Sequence, residues 1–284
     1  MSKLVLGTVQ FGLNYGINNT SGQVSDAEVK AILKLASVEK VGTLDTSSAY
    51  GSSEVVLGKA LASTRTKFNI VSKYPKSDKG IRETFKQSIK NLGVNHLYAY
   101  LIHHFDFFKE KPSIWDEFKS LKTDGLVSKI GFSLYNVEQL EYLLNKGVRF
   151  DILQFPYNIF DRQFEKYLPI LKQSGVEIHT RSAFLQGLFF KDISKLPICL
   201  QPLKKYLLGL HKYCSSRDIL IEELALKYVI CNANIDGVLI GVDNSQQLES
   251  NINVSNKVLS DSEADFVNSI RVEELDLLSP VNWH

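Results

Sequence analysis

The sequence predicts an α/β protein, an eight-stranded (β/α)8 TIM barrel that forms one domain over residues 1–284. Three observations favour this fold. Short apolar segments alternate with longer amphipathic segments along the chain, which is typical of parallel strands joined by right-handed crossovers. Eight such units occur, whereas an open doubly wound sheet usually has fewer. No Gly-x-Gly-x-x-Gly sequence follows the first strand, so the fingerprint of the open dinucleotide-binding sheet is absent.

The elements follow in chain order. Eight apolar segments are the predicted strands: Leu4–Leu6, Val41–Leu44, Phe68–Ser72, Leu97–Ile102, Val127–Gly131, Ile152–Gln154, Val176–Thr180 and Gly237–Ile240. Helical periodicity predicts seven helices: Asp26–Val38, Glu54–Ala62, Ile81–Leu92, Ile114–Lys122, Val137–Asn145, Phe164–Gln173 and Gln247–Val254. The longer stretch from Pro202 to Cys231 predicts an accessory helix and then the regular helix before strand eight. A C-terminal helix, Ala264–Ile270, is predicted outside the repeat.

Helix-end signals support these elements. Ser25 with Glu28, and Ser260 with Glu263, have the spacing of a capping box, in which two side chains satisfy two helix amides reciprocally. A residue in the left-handed conformation ends many helices, and glycine adopts it at the lowest cost. Four glycines stand just after helical segments and are predicted to end them: Gly93, Gly125, Gly147 and Gly175.

Composition narrows the class of protein. The 33 basic and 31 acidic residues leave a net charge of +2, and no Lys/Arg cluster indicates a nucleic-acid or membrane partner. The three cysteines are widely spaced, and no His-x-His occurs, so neither a disulfide framework nor a metal site is expected. No signal segment and no apolar run of ~20 residues is found, so we expect a cytoplasmic protein. The oligomeric state stays open.

Polar residues close three consecutive predicted strands. Asp45, Lys73 and His103 lie 28 and 30 residues apart, which matches one βα unit each, and Tyr50 follows in the loop after Asp45. Barrel active sites lie at the C-terminal strand ends, and neighbouring strands are only ~5 Å apart. Each residue alone could have a structural role. Together they predict a site, because a buried lysine is costly unless it is paired, and Asp45 is its natural counter-ion.

This set of side chains suits the reduction of a carbonyl group. A tyrosine of pKa ~10 is a poor acid at neutral pH, and an adjacent ammonium is expected to lower the pKa of Tyr50. A neutral imidazole at His103 can donate a hydrogen bond that polarises a carbonyl oxygen. No side chain supplies hydride, so a nicotinamide cofactor is implied.

At these residues the chain resembles the aldo-keto reductase superfamily, and the resemblance covers nearly the whole sequence. The most specific segment is LDTSSAYGSSEVVLGKAL, from Leu44 to Leu61. Four further segments are similar to family motifs: LGTVQFG, VSKYP, YLIHHFD and GLVSKIGFSLYN. The resemblance implies a catalytic tetrad of Asp45, Tyr50, Lys73 and His103, with His103 rather than His104 as the catalytic imidazole.

The resemblance also implies a cofactor cleft. Its expected contacts are Thr8, Asp45, Ser133, Gln154, Arg181, Gly187, Gly241, Asp243, Asn244, Gln247 and Asn251. Ser133 and Gln154 match residues that hold the carboxamide, whereas Leu134 replaces an asparagine and leaves a substitute role for Asn136 open. Arg181 replaces the tyrosine that stacks on the nicotinamide ring, and its planar guanidinium is predicted to retain that stacking.

Asp243 bears on the choice between NADP(H) and NAD(H). Many members of the family have Arg or Lys at this position, and that cation binds the 2′-phosphate. A carboxylate would repel the phosphate and could accept a hydrogen bond from a free ribose hydroxyl. Asp243 could also merely face water, so the coenzyme stays undetermined.

The leading hypothesis is the reversible reduction of an aldehyde or ketone, sugar-like compounds included, with Tyr50 as general acid. The expected substrate pocket uses Tyr15, His104, Phe105, Phe107 and Trp283, although these aromatics could equally be ordinary packing. An alternative is a regulatory subunit that senses the cofactor with little turnover. A metal-dependent barrel hydrolase is disfavoured, because few candidate ligands stand at strand ends.

Overall fold

The strands close into a barrel that matches the predicted fold. The computed structural model describes residues 2–19, 21–64, 66–77 and 79–283. Within these ranges eight parallel strands pair in sequence order, and the last pairs with the first, which closes the barrel. The strands are β1 Leu4–Gly7, β2 Thr43–Asp45, β3 Asn69–Tyr74, β4 Leu97–Ile102, β5 Val127–Ser133, β6 Ile152–Pro156, β7 Glu177–Arg181 and β8 Gly237–Gly241.

Helices surround this barrel. Over the described ranges the α-helices are α1 Val9–Gly12, α2 Asp26–Val38, α3 Ser53–Leu61, α4 Ile81–Leu92, α5 Phe105–Glu110, α6 Ile114–Thr123, α7 Val137–Asn145, α8 Leu168–Gln173, α9 Lys204–Ser215, α10 Ile221–Ile230, α11 Ser245–Ser255 and α12 Asp261–Ser269. Short 3₁₀ segments are Glu165–Tyr167, Leu185–Phe190, Ile193–Lys195, Ile198–Leu203, Leu275–Leu278 and Pro280–Asn282. None of the helices in the part of the chain described here has the length and apolarity that crossing a bilayer requires.

The predicted elements are confirmed, with differences at their ends. Strand β4 and helices α2, α4 and α7 have the predicted bounds, and the long stretch before β8 holds the two expected helices, α9 and α10. Several strands run further towards their C-terminal ends than apolar patterning indicated, since β2 includes Asp45 and β3 includes Lys73. Polar residues that point into a site break the apolar pattern on which the prediction depends. Helices α1 and α5 were missed because four and six residues are too few to show periodicity.

Of the predicted helix-end features, one capping box and the four glycine ends are confirmed, and the other capping box is wrong. Ser260 and Glu263 form the complete capping box of α12. Ser25 Oγ accepts from the Glu28 backbone N–H at 3.3 Å, but the Glu28 carboxylate turns away and accepts from the Ser245 backbone N–H instead. The full box predicted at Ser25 is therefore wrong. All four predicted glycines have positive φ: 66° at Gly93, 70° at Gly125, 62° at Gly147 and 75° at Gly175.

The strand register gathers polar side chains at the C-terminal mouth of the barrel. Gly7 of β1 pairs with Asp45 of β2, and Ser133 of β5 pairs with Gln154 of β6. Aromatic packing supports this end from outside, where the Phe132 ring stacks on Trp115 at 4.5 Å between centroids. The mouth therefore stands on well-packed strands, which is the arrangement that holds reactive groups in fixed positions.

Candidate active site

Asp45 and Lys73 form a buried ion pair at the ends of β2 and β3. The distance from Lys73 Nζ to Asp45 Oδ1 is 2.5 Å, and the two side chains are 0% and 2% exposed. Lys73 Nζ also donates to the Thr46 carbonyl oxygen at 3.0 Å, while Asp45 Oδ2 accepts from Gln154 Nε2 at 2.8 Å. Both charged groups are thus bonded on more than one side, as buried charges need to be.

Tyr50 meets this pair from the loop after β2. Lys73 Nζ donates to Tyr50 Oη over 3.4 Å, and the ammonium lies 5.1 Å from the centroid of the tyrosine ring. The Tyr50 ring also contacts His103 edge to face, with 5.7 Å between ring centroids. The structure therefore brings Asp45, Tyr50, Lys73 and His103 together, as the sequence predicted.

His103 is held by the hydroxyl of Ser47, which lies on the loop after β2 that also carries Tyr50. Its Nδ1 lies 3.1 Å from Ser47 Oγ, and Ser47 Oγ accepts from the Ala49 backbone N–H at 3.1 Å. A hydroxyl oxygen has two lone pairs, so with Ala49 as one donor Ser47 can either donate to Nδ1 or accept from it. Donation from Ser47 corresponds to the tautomer with the imidazole hydrogen on Nε2. On the other side, the ring of His104 stacks on His103 at 4.9 Å.

Burial dominates the ionisation of these groups. It raises the pKa of Tyr50 above its ordinary value, Asp45 adds to the rise, and Arg181 opposes it. The expectation from sequence of a pKa below the ordinary value is therefore not met, because the loss of water around the phenolate outweighs the opposing charge of Arg181. Burial lowers the pKa of Lys73 while Asp45 opposes the change. Burial, with the nearby Lys73 charge, lowers the pKa of His103 to about 2, so the imidazole is neutral.

A cavity of about 550 Å³ opens above these residues. Among the predicted site residues that line it are Thr8, Asp45, Tyr50, Gln154, Arg181, Gly187, Gly241, Asp243, Gln247 and Asn251. Lys73 and His103 lie behind the wall and contact Tyr50, which is part of it, while Ser133 and Asn244 do not line the cavity. In the described ranges no cluster of three or more His, Cys, Asp and Glu side chains is arranged to hold a metal ion.

Two further features of the cavity wall stand out. Gln10 Oε1 is buried and has no hydrogen-bond partner among the residues that the structure describes. Along the loop after β7, Leu185, Gln186 and Gly187 have φ of 47°, 53° and 89°. Two of these residues donate their backbone N–H inside the loop, Leu185 to the Ser182 carbonyl oxygen at 2.8 Å and Gly187 to the Phe184 carbonyl oxygen at 2.9 Å.

The family follows from comparison with known proteins. The model of the Aldo/keto reductase family matches residues 3–272. The chain belongs to the aldo/keto reductase family. It is therefore an NAD(P)H-dependent oxidoreductase, and its closed barrel is the fold of that family.

Individual relatives are distant. The NADH-specific methylglyoxal reductase of Escherichia coli is 25% identical over 269 residues, covering 79% of this chain and 81% of that protein. The L-galactose dehydrogenase of Arabidopsis thaliana is 25% identical over 272 residues, covering 88% and 84%. A solved aldo-keto reductase from Bacillus halodurans in its holo form has a TM-score of 0.77 at 20% identity, covering 96% of this chain and 94% of that chain.

The cavity of this aldo-keto reductase fits a nicotinamide coenzyme. The unpaired Gln10 Oε1 offers an acceptor to a ligand amide or hydroxyl, because a buried acceptor without a partner costs free energy. At Gly187 a Cβ would lie 3.1 Å from Asn18 Nδ2, so this glycine lets the Asn18 side chain pack closely on the loop after β7. A Cβ at Gly241 would lie 2.4 Å from Gln10 Nε2, so this glycine leaves room for the Gln10 amide.

The carboxamide contacts predicted from the resemblance are changed in part. Gln154 lines the cavity, but its amide nitrogen is engaged by Asp45. Ser133 is 2% exposed and lies beside Gln154 in the sheet, behind the wall. Asn136 does not line the cavity, and its Oδ1 caps α7 by accepting from the Gln139 N–H at 3.1 Å.

Arg181 lines the cavity and stacks on an aromatic ring of the chain itself. Its Cζ lies 4.4 Å from the centroid of the Tyr135 ring, and Nη2 donates to the Leu134 carbonyl oxygen at 3.1 Å. One face of the guanidinium is therefore covered by Tyr135. Stacking of Arg181 on nicotinamide remains a prediction for its other face.

The predicted adenosine contacts lie at the start of α11. Asn244 Oδ1 accepts from the Gln247 N–H at 2.9 Å, which confirms the predicted capping interaction. Asn244 is thus occupied as a cap and not as part of the wall. Gln247 and Asn251 line the cavity from α11, and Asp243 lines it from the position directly before the Asn244 cap.

The predicted substrate aromatics behave differently from one another. Tyr15 lines the cavity, and its hydroxyl accepts from Gln186 Nε2 at 2.6 Å. Phe105 is buried in the core against Phe108 and Phe132, so its assignment to the substrate pocket is wrong. The remaining three also lie outside the cavity wall: His104, Phe107 and Trp283.

Sequence reasoning missed Gln10, Tyr135 and Glu222. Gln10 and Glu222 line the cavity, and Tyr135 supports Arg181. Gln10 lies within the LGTVQFG motif and could have been found there. Tyr135 directly follows Leu134 in the GLVSKIGFSLYN motif, but nothing in the sequence indicated a ring for Arg181. Glu222 is an ordinary first-turn residue of α10 and gave no signal.

Proposed function

We propose that this aldo-keto reductase reduces a small polar aldehyde or ketone, sugar-like compounds included, to the alcohol, with Tyr50 as proton donor. The observation that carries the proposal is the position of Tyr50 on the cavity wall, 3.4 Å from a lysine that Asp45 holds at 2.5 Å. Relatives that act on methylglyoxal and on L-galactose support small polar carbonyl compounds as the substrate class.

Tyr50 holds the proton that the reaction needs. Because its pKa is raised by burial, the phenol stays protonated at neutral pH and the reduction begins with the proton in place. When that proton leaves, the hydrogen bond from Lys73 Nζ stabilises the phenolate that forms. Asp45 keeps the lysine charged and fixes its position, since its other oxygen is bonded to Gln154.

His103 orients the carbonyl oxygen. Burial keeps the imidazole neutral, and in this proposal Ser47 donates to Nδ1 so that the imidazole hydrogen is on Nε2. A neutral Nε2–H donates to the substrate oxygen without competing with Tyr50 for a proton. A nicotinamide coenzyme, when bound, would supply the hydride for the carbonyl carbon. In this proposal the residues that would hold the coenzyme are Thr8, Gln154, Arg181 and the wall residues of β8 and α11.

The test replaces Tyr50 by Phe. We expect kcat to fall at least ~10²-fold with 4-nitrobenzaldehyde, which is the usual contribution of a positioned acid. The dissociation constants of NADH and NADPH, measured by calorimetry, should change less than about two-fold. Tyr142→Phe is the matched control, because Tyr142 lies on the outer helix α7 and does not line the cavity.

Retained turnover in Tyr50→Phe would overturn the assigned role. The alternative of a cofactor-sensing subunit makes a different prediction for the unmodified protein. It requires tight coenzyme binding with no oxidation of NADH or NADPH across a panel of aldehydes, ketones and sugars.

A further inference from the structure

The first turns of α11 form one end of the coenzyme cavity. Gln247, Ser250 and Asn251 line it, and their spacing places them on one face of the helix. Asp243 lines the same end from just before the helix. The amides at a helix N-terminus are a ready site for phosphate, so the groups that occupy them decide what this end accepts.

Side chains of the protein already accept from two of these amides. The Ser245 N–H, at the first residue of α11, donates to Glu28 Oε1 at 2.5 Å. Glu28 comes from α2, which packs against α11 and precedes it by more than 200 residues. Asn244 takes the Gln247 N–H at 2.9 Å, and Gln247 Oε1 takes the Asp243 N–H at 2.8 Å. An internal carboxylate thus accepts from the first amide of α11, from a position just outside the cavity wall.

The charge at this end of the cavity is negative. Asp243 lines the wall, with its Oδ1 3.4 Å from Asn19 Nδ2, and Glu222 of α10 also lines the cavity. Arg181 is the one cation among the described residues of the wall, and it stands with Tyr135 by the loop after β7. No Lys or Arg of the described lining residues therefore faces the two carboxylates or Glu28.

We infer that this enzyme binds NADH in preference to NADPH, with Glu28 and Asp243 as the specificity-determining residues. The inference rests on the proposed coenzyme site. A 2′-phosphate carries about two negative charges. It would bring them to the start of α11, where the Ser245 N–H already donates to Glu28 and where the Asp243 carboxylate lies nearby. A free 2′-hydroxyl is a hydrogen-bond donor, and a carboxylate accepts from it.

Direct binding tests the inference without turnover. We would titrate the purified enzyme with NADH and with NADPH by calorimetry at low ionic strength. NADH is expected to bind at least about ten-fold more tightly, and raising the salt to about 0.5 M should narrow the gap because it screens the carboxylates. In Glu28→Gln the dissociation constant of NADPH should fall about three- to ten-fold, while that of NADH changes less than about two-fold.

Asp243→Asn supplies a second, independent variant, which lies outside the helix and keeps the test valid if Glu28→Gln unfolds. The double variant should bring the two dissociation constants within about three-fold of each other. Glu249→Gln is the matched control, since it removes the same charge from an exposed position of α11 outside the cavity wall, and its coenzyme ratio should stay that of the unmodified enzyme.

The outcomes separate two failures. Equal binding of NADPH and NADH to the unmodified enzyme, or an unaltered ratio in both single variants, overturns the inference and leaves the proposed function standing. Failure of both coenzymes to bind the unmodified, folded protein overturns the proposed function itself. A ratio that moves equally in Glu249→Gln would show a general charge effect, and would overturn the roles of Glu28 and Asp243.

Discussion

Removing the carboxylate of Asp45 should destabilise the barrel strongly and stop the reaction. In Asp45→Asn the Lys73 ammonium loses a partner at 2.5 Å, and its side chain is 0% exposed. Breaking a buried ion pair in this way costs about 3–5 kcal/mol, because the remaining charge is uncompensated. Lys73 keeps the Thr46 carbonyl oxygen at 3.0 Å as an acceptor, so we expect a loss near the lower limit, about 3 kcal/mol.

Urea unfolding at neutral pH, followed by circular dichroism without coenzyme, measures this loss. The matched control is Asp116→Asn, which breaks an ion pair with Lys119 of similar length, 2.6 Å, between side chains that are 73% and 58% exposed. An exposed pair contributes about 0–1 kcal/mol. A loss below about 1 kcal/mol in Asp45→Asn, equal to that of the control, would refute the reasoning that burial makes this pair costly to break.

A double variant separates stability from catalysis. Asp45→Asn combined with Lys73→Met removes both charges, and exchanging a buried pair for neutral groups is often nearly neutral in stability. We expect the free energy of unfolding to recover to within about 1–2 kcal/mol of the unmodified protein, while kcat stays at least ~10²-fold lower. Recovery of kcat together with stability would show that the pair only supports the fold.

Two further predictions concern His103. Ser47→Ala removes the hydroxyl that sets its tautomer, so kcat should fall about ten-fold while the dissociation constant of the coenzyme, measured by calorimetry, stays unchanged. Because its pKa is lowered to about 2, the imidazole should stay neutral from about pH 5 to 8, and kcat/KM should show no step near 6.5. A kcat/KM step near pH 6.5 that disappears in His103→Gln would contradict the assignment of a neutral imidazole. Since the pKa of His103 in the folded protein lies below its unfolded value, this residue also adds stability above about pH 6.5 that is lost as the pH falls.

Much of the architecture could be predicted from local pattern. Eight apolar segments separated by amphipathic helices become β1 to β8, because alternation at this spacing favours parallel strands with helical crossovers. The spacing of Asp45, Lys73 and His103 placed them at neighbouring strand ends, and the register then brings them within contact distance. These patterns depend on residues that are close together in the chain, so they can be recognised from the sequence alone.

The parts that could not be predicted depend on contacts between distant segments. Glu28 has the spacing of a capping box with Ser25, yet its carboxylate bonds to Ser245 because α2 and α11 pack side by side. Tyr135 supports Arg181 only because the ends of β5 and β7 approach each other across the mouth of the barrel. Neither contact leaves a periodic or motif signal in the sequence.

The direction of the pKa shift at Tyr50 also could not be predicted from the sequence, because it depends on the balance of two opposing effects. An ammonium nearby lowers the pKa of a phenol, whereas burial raises it, and only the structure shows how completely protein surrounds the ring. The sequence shows that Lys73 carries a charge, but it does not show how far Tyr50 is removed from water. Burial is the larger effect here.

A raised pKa changes what Lys73 contributes to the reaction. If the ammonium acted mainly on the resting phenol, Tyr50 would ionise early and lose the proton that the carbonyl oxygen must receive. The distance from Lys73 Nζ to Tyr50 Oη, 3.4 Å, is longer than the usual ~2.9 Å of a strong N–H···O bond, so the ground state gains little from it. As charge develops on the phenol oxygen the bond can shorten and strengthen. An interaction that is weak before the transfer and strong during it lowers the barrier, whereas one equally strong in both states would not.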